Sequence, residues 1–458
     1  MRFTVLLAIA ILFTACDPPE YDLAITDVTV VDAVSGARPH LTVLTRADTI
    51  AAIIPAGESA RALRVVDGTG SYLIPGLWDF HVHLTYGDAD ADEMARLFLD
   101  YGVTSIRDTG GLLDLIQPVV QRLEDAEQAP RVFFAGPLQD GRDVVYDGDS
   151  RPEIGISNPN PGAAVANVGR LAAAGVDFIK IYELVSPEVF GGLVAAARAH
   201  ELPIAGHVPL SMLASEAGPQ MNSMEHLRNV ELDCAVNYEE LLYARLMAIE
   251  NPEGLPGGTL RSSLHSAQRI PAIQAVNADR CAEVIASLTG TIQVPTLRLN
   301  ALSVQPPYSR PDWPDALERL GGEKAEAYRA IGESRLASND EVDTTFGNWS
   351  LHLTGLMQGA GVPIGAGTDT PIGLAIPGYS LHNELSMLVR GGLDPVDALG
   401  AATVRPAEFF GLTDEMGQVA VGMRADLVML GGNPLEDIDN TRSIRMVVSK
   451  GHIVRQSN

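Results

Sequence analysis

Cysteine is scarce: Cys16, Cys234 and Cys281 are the only three in 458 residues. None has the neighbours of a thiolate metal site or of a nucleophilic cysteine, so any chemistry must come from other side chains. Cys234 and Cys281 remain as either a disulfide or two buried free thiols. Basic residues are also in short supply, with 32 Lys and Arg against 58 Asp and Glu, a formal charge of -26 and a pI near 4.7. That balance excludes partners that reward lysine and arginine, namely nucleic acid backbones and anionic membrane surfaces. Beyond the N-terminus no run is long and apolar enough for a transmembrane span. A glycine-rich dinucleotide fingerprint is missing too, and no internal repeat exists beyond an alternation of strands and helices.

What is present begins with an export signal. Arg2 is followed by an apolar run from Phe3 to Phe13, broken only by Thr4 and too short to span a bilayer. The run ends in Leu12-Phe13-Thr14-Ala15-Cys16, which resembles a bacterial lipoprotein processing site with Cys16 as the lipid anchor. Phe13 departs from the aliphatic residue usual at its place, which leaves ordinary signal-peptide cleavage as the alternative. The expected location is the periplasm or outer cell envelope, with membrane contact only through the anchor. Nothing in the pattern decides between a single copy and a homo-oligomer.

Short β-runs occupy Leu23 to Val31, Leu41 to Ile54 and Leu63 to Asp67, too few to close a core alone. Matching runs stand at the other end, in Gly417 to Leu430 and Ile444 to Val454. The reading is one small β-sandwich built from residues 22–70 and 413–458, with residues 71–412 inserted between its halves and residues 1–15 as the leader.

The inserted part repeats a strand and then a helix. Strands are expected at 75–84, 105–108, 131–136, 177–182, 203–208, 223–227, 291–295 and 362–369, with helices near 91–101, 113–127, 162–174, 187–200 and 273–288. Eight strands so interleaved predict an α/β fold of the (β/α)8 TIM-barrel type. A helical excursion over 304–343 and terminal helices near 379–389 and 395–402 complete the pattern.

In such a barrel, functional side chains stand at the carboxyl ends of the strands. In Leu77-Trp78-Asp79-Phe80-His81-Val82-His83, alternation turns Asp79, His81 and His83 to one side, where two imidazoles can grip one metal ion. Strand four contributes Lys180, strand five His207, strand six His226 and strand eight Asp369. Taken singly, each histidine has an ordinary core role, Lys180 can reach solvent from a strand edge, and Asp369 can cap the following helix. Those roles do not explain why all six fall at strand ends facing one mouth. Four histidines and a carboxylate suit zinc or another first-row divalent metal. A lysine among cations makes sense once its amine has become a carbamate, an anion able to bridge two metals.

These motifs resemble the amidohydrolase superfamily, and within it the imidazolonepropionase-related branch that includes metal-dependent Xaa-Pro dipeptidases. The resemblance runs from Asp22 to about Val454. It rests on Leu73 to His83, Lys180, Gly206-His207-Val208, Glu225-His226, Gly367-Thr368-Asp369, and, in the tail, Ala398 to Thr403, Gly417, Gly422 and Ala425-Asp426-Leu427. It implies one metal held by His81, His83 and Asp369, a second by His207 and His226, and a carbamylated Lys180 bridging them. Lys180 favours the two-metal hydrolases over the single-metal deaminases of the superfamily.

A water shared by two metals is acidic enough to supply hydroxide near neutral pH, and Asp369 can carry its proton to a leaving nitrogen. The expected substrate is a small amide, either a dipeptide of the Xaa-Pro type or an N-acyl amino acid. A cyclic-amide hydrolase, or a non-catalytic binding lipoprotein on the same fold, are the alternatives. Tyr182, Arg228, His352 and His382 are candidate substrate contacts, whereas His40, His200 and His452 read as solvated.

Overall fold

The first strand, Tyr21–Asp32, determines how the two chain ends meet. Leu23, Ile25, Val28 and Val30 are buried along it, but the pairing register shifts between Ile25 and Val28 and again between Val28 and Val30. Asp27 sits at this break with φ of 49°. Such an irregularity bends a strand. The first half therefore pairs with Ala62–Asp67 and the second with Tyr72–Pro75, both parallel, while Gly36–Arg46 runs antiparallel along the other edge. Leu427–Leu430 pairs with Tyr72–Pro75, and Ile444–Ser449 and His452–Gln456 follow outward. The two ends thus form one eight-stranded sheet. The strands of both ends share a hydrogen-bonded sheet, because the bent first strand serves two partners on the same edge. Val43, Ile50, Leu73, Leu427, Met446 and Val448 join the inward residues of the first strand in its core. The run expected over 41–54 is split by a turn at Ala47 and Asp48. Of 417–430 only Leu427–Leu430 is strand, since Gly417 and Gly422 turn at φ of 93° and 91°.

In this computed structural model, residues 19–149 and 151–456 are described. The leader and the processing site at Cys16 lie outside them.

Between the two halves of the terminal sheet the chain alternates as expected. Leu77–Val82, Val103–Asp108 and Arg131–Phe134 form one parallel sheet. Leu138–Asp140, Gly155–Ser157, Ile179–Ile181, Ile204–Gly206, Ser223–Glu225 and Ile292–Val294 form a second. Three of the intervening helices begin where side chains cap free backbone N–H groups. Asp90 opens Ala91–Asp100, Asn160 opens Pro161–Ala173, and Ser186 opens Pro187–Ala199, the last two with proline in the first turn. The expected third strand is interrupted at Gly136 (φ 70°) and Pro137. Its first piece bonds through the Asp177 N–H to Phe134 O (2.9 Å), and its second pairs with Ile179–Ile181.

The eighth run is not a regular strand. It makes isolated parallel bridges from Ile364 to Gln293 and from Thr370 to Val82. Pro363 has no N–H to donate, and Gly367 lies so close to the first strand that a β-carbon there would stand 2.7 Å from His81 Cβ. The run is nevertheless held on both sides: Gly365 N–H donates to Gln293 O (2.8 Å) and Phe80 N–H to Ala366 O (2.9 Å). Asp369 N–H donates to His81 O at 2.7 Å, which carries the carboxylate to the first strand.

Two excursions flank this end. The helix expected at 273–288 is instead the tail of Gly257–Gln274 plus Ala278–Ser287, broken where Asn277 caps the second piece by accepting from Arg280 N–H. Cys234 and Cys281 form a disulfide, which settles the alternatives left open by the sequence. Trp313–Leu320 and Gly322–Ala337 make the other excursion, and Tyr379–Arg390 and Pro395–Ala401 lead back to the terminal sheet. Among the described residues no helix is long and apolar enough to cross a membrane.

Candidate metal centre

His81 lies at the end of Leu77–Val82 and His83 just beyond it. His207 follows Ile204–Gly206, His226 follows Ser223–Glu225, and Lys180 is the middle residue of Ile179–Ile181. His226 and Asp369 stand at φ of 63° and 58°, the left-handed region that such residues enter only when the surrounding structure enforces it. All six side chains are buried. Asp369 Oδ1 is 3.4 Å from His81 Nε2 and 3.3 Å from His83 Nε2. The His226 ring is centred 4.6 Å from that of His81 and 4.9 Å from that of His207. His81, His226 and Asp369 each offer a donor atom within 4.8 Å of the others. Asp79 shares the strand of His81 but faces the eighth run instead. It accepts from Thr368 N–H (2.9 Å) and Thr368 Oγ1 (2.6 Å), pinning the residue before Asp369.

Two buried carboxylates stand behind the histidines. Glu225 accepts from His81 Nδ1 at 2.6 Å, and its other oxygen accepts from Arg107 (2.8 Å) and Ser223 (2.9 Å). Glu183 accepts from His207 Nδ1 at 2.6 Å, from Arg261 at 2.7 Å and from His265 Nε2 at 2.5 Å. Burial opposes ionisation of both, yet their partners hold them well below the usual carboxylate range: the charges of Arg107 and Lys180 for Glu225, and the Arg261 charge with the N–H groups of His207 and His265 for Glu183. His83 Nδ1 donates to Gly110 O at 3.1 Å. Burial depresses His207 to about 3 and His226 well below its ordinary value, so both imidazoles are neutral. Asp369 is held well below the usual carboxylate range, since the surrounding His226, His81 and His83 outweigh its burial. Within the six residues, Lys180 Nζ and His226 Nδ1 are buried without a hydrogen-bond partner. Neutral imidazoles, an ionised carboxylate and unpartnered nitrogens make a donor set that fits divalent cations.

The six residues open into a cavity of about 330 Å³, also lined by Tyr182, Arg228, Arg261, Arg269 and Phe346. Tyr182 and Arg228 are therefore where the sequence expected them. His352 and His382 are not. His352 is exposed on Thr345–Gly359, beside Trp349. His382 is buried away from the cavity, bonded through Nδ1 to Thr441 Oγ1 and through Nε2 to Tyr101 O, both at 2.9 Å, where it ties the helix Tyr379–Arg390 to the tail. His40, His200 and His452 are exposed as expected. Glu183, Arg107, Arg261, His265 and Arg269 also surround the centre and stand in none of the sequence motifs. Only the last three carried a signal, being spaced four apart along one helical face.

An α/β fold with this cluster at the ends of its parallel strands defines the class of protein. Residues 350–454 match the model of the Amidohydrolase family. The chain is 34% identical over 134 residues to an imidazolonepropionase of Deinococcus deserti, covering 27% of this chain and 33% of that one. It is 31% identical over 86 residues to an adenine deaminase of Serratia proteamaculans, covering 19% and 14%. The chain thus aligns with no more than about a third of the length of either relative. A crystal structure of a putative prolidase from Bifidobacterium longum superposes with a TM-score of 0.64 at 23% identity, covering 96% of both chains, a likeness of fold. The resemblance to amidohydrolases read from the motifs is borne out.

Proposed function

We propose that this chain is a two-metal amidohydrolase that cleaves an amide bond of a small carboxylate-bearing substrate, either a dipeptide of the Xaa-Pro type or an N-acyl amino acid. The observation that carries the reading is the convergence of His81, His83, His207, His226 and Asp369 around the buried amine of Lys180, which makes no hydrogen bond. The inserted residues 71–412 act as a closed (β/α)8 barrel. His81, His83 and Asp369 would hold one cation, His207 and His226 the other, with Lys180 as a carbamate between them. Zinc fits the nitrogen and oxygen donors. When bound, the cations supply an acidified water and a Lewis acid for the substrate carbonyl.

The remaining steps belong to the chain. Asp369, ionised and in contact with His81 and His83, takes the proton from the water and passes it to the leaving nitrogen. Tyr182, kept protonated by burial, offers a hydroxyl to the oxyanion or the substrate carboxylate. Arg228 makes no ion pair among the described residues and lines the cavity beside Arg269, so a substrate carboxylate would supply the missing anion. The proposal extends to export and to a lipid anchor at Cys16.

A panel of dipeptides and N-acyl amino acids, run beside lactams and hydantoins on zinc-loaded protein, tests it. Turnover of the open-chain amides supports the reading. Turnover of the rings alone replaces it with cyclic-amide hydrolysis, and binding without turnover of any member replaces it with a non-catalytic role.

A further inference from the structure

The four histidines of the centre are not held alike. His81 and His207 each donate Nδ1–H to a buried glutamate that an arginine neutralises: Arg107–Glu225–His81 on one side and Arg261–Glu183–His207 on the other. His83 leans on a backbone carbonyl, and His226 Nδ1 on nothing. Each half of the centre therefore contains one histidine fixed by an arginine–glutamate pair.

The second pair has a feature the first lacks. Arg107 comes from a parallel strand and is enclosed between Phe80, Phe178 and Phe409, with its guanidinium 3.5 Å from the Phe80 ring. Arg261 comes from the excursion helix Gly257–Gln274. The same helical face carries His265 and Arg269. His265 Nε2–H donates to Glu183 at 2.5 Å, and His265 Nδ1 accepts from Arg269 at 2.9 Å. This polarity settles the tautomers. Arg269 can only donate, so His265 Nδ1 must accept and its proton sits on Nε2, facing Glu183. Glu183, an acceptor only, then takes three N–H donors, and the proton of His207 is confined to Nδ1. His207 presents Nε2 as a bare acceptor.

We infer that Glu183 is the positioning residue for the cation site of His207 and His226, and that Arg261 and His265 act through it, so the excursion helix governs one of the two sites and not the other. The inference rests on the two-cation reading above. A carboxylate behind a ligating histidine fixes the ring and raises its basicity, and losing such a partner costs about 10- to 100-fold in metal affinity. Here that loss falls on one site, because His81, His83 and Asp369 share no hydrogen bond with Glu183, Arg261 or His265.

The test is a zinc titration of the metal-stripped full chain, read as equivalents bound and as separate dissociation constants, for wild type, Glu183→Gln and His265→Gln. Glu183→Gln is expected to keep one tight equivalent and to bind the second about 10- to 100-fold more weakly. His265→Gln, which leaves Glu183 and His207 in place, is expected to show a smaller weakening of the same equivalent. A general loss of structure would weaken both equivalents together, and thermal unfolding of the stripped proteins separates that result. Equal weakening of both sites in folded His265→Gln and Glu183→Gln, or no weakening of either, overturns the inference while leaving the two-cation reading intact. A wild-type chain that binds fewer than two equivalents overturns that reading and the inference with it.

Discussion

His81 Nδ1 lies 2.6 Å from Glu225 Oε2, and neither side chain reaches solvent. The bond leaves Nε2 as the free face of the imidazole, 3.4 Å from Asp369. Its anion is tolerated because Arg107 donates to Glu225, to Ser223 Oγ and to Phe80 O. Removing one member of a buried ion pair strands the other without a counter-charge. Arg107→Met is therefore expected to cost about 3–5 kcal/mol of stability. Urea unfolding at pH 7 measures it, and a loss under about 1 kcal/mol contradicts the assigned role.

Glu384 predicts how stability responds to pH. It is buried and accepts from Leu297 N–H at 2.9 Å and Arg298 N–H at 2.7 Å, but burial outweighs those bonds and pushes its carboxyl up to about 7. The unfolded value is about 4.3, so the fold favours the protonated acid. Its contribution is complete below the unfolded value and is lost as pH rises through about 7. The stability of the wild type should fall between pH 5 and pH 8, and Glu384→Gln, which cannot ionise, should show a shallower fall. Equal slopes in urea titrations at the two pH values contradict it.

The Cys234–Cys281 disulfide closes a loop with a sequence separation of 47 that contains the excursion helices on the cavity side. A closed loop of that length restricts the unfolded chain. The Cys234→Ala/Cys281→Ala double variant is expected to lose about 2–4 kcal/mol. A reducing agent should lower the unfolding midpoint of the wild type and leave that of the double variant unchanged.

Arg228 and Arg269 predict substrate charge. Both line the cavity, and burial together with the charge of Arg228 lowers Arg269 to about 10. For an N-acyl amino acid, Arg228→Ala should lower kcat/KM about 10- to 100-fold, the loss of a charge-assisted hydrogen bond worth about 1.5–3 kcal/mol. The matching N-acyl amino amide, which has no carboxylate, should lose little. Equal losses for the two substrates contradict carboxylate recognition.

Much of the site was legible because two rules acted over short distances. Alternation along a strand placed His81 beside His83, and strand ends located Lys180, His207, His226 and Asp369. The eighth run was legible only in part: its glycines and Pro363 allow isolated bridges where an apolar run suggested a strand. His382 misled because a histidine on a helix carries no mark of which neighbour it meets, and Thr441 and Tyr101 are 59 and 281 residues away. Glu183 went unseen for the same reason, since its partners Arg261 and His265 are 78 and 82 residues downstream. The bend at Asp27 that merges the terminal strands into one sheet is a matter of register, which composition does not encode.

The central claim is that Lys180 joins two cations into a centre that hydrolyses amides, and one experiment addresses it directly. Metal content and hydrolysis are measured on the same preparations of wild type and Lys180→Ala, with Asp369→Asn alongside. The wild type should hold about two equivalents of divalent metal and turn over an open-chain amide, while both variants keep their circular dichroism and lose hydrolysis. A Lys180→Ala protein with full metal content and near wild-type rate contradicts the account.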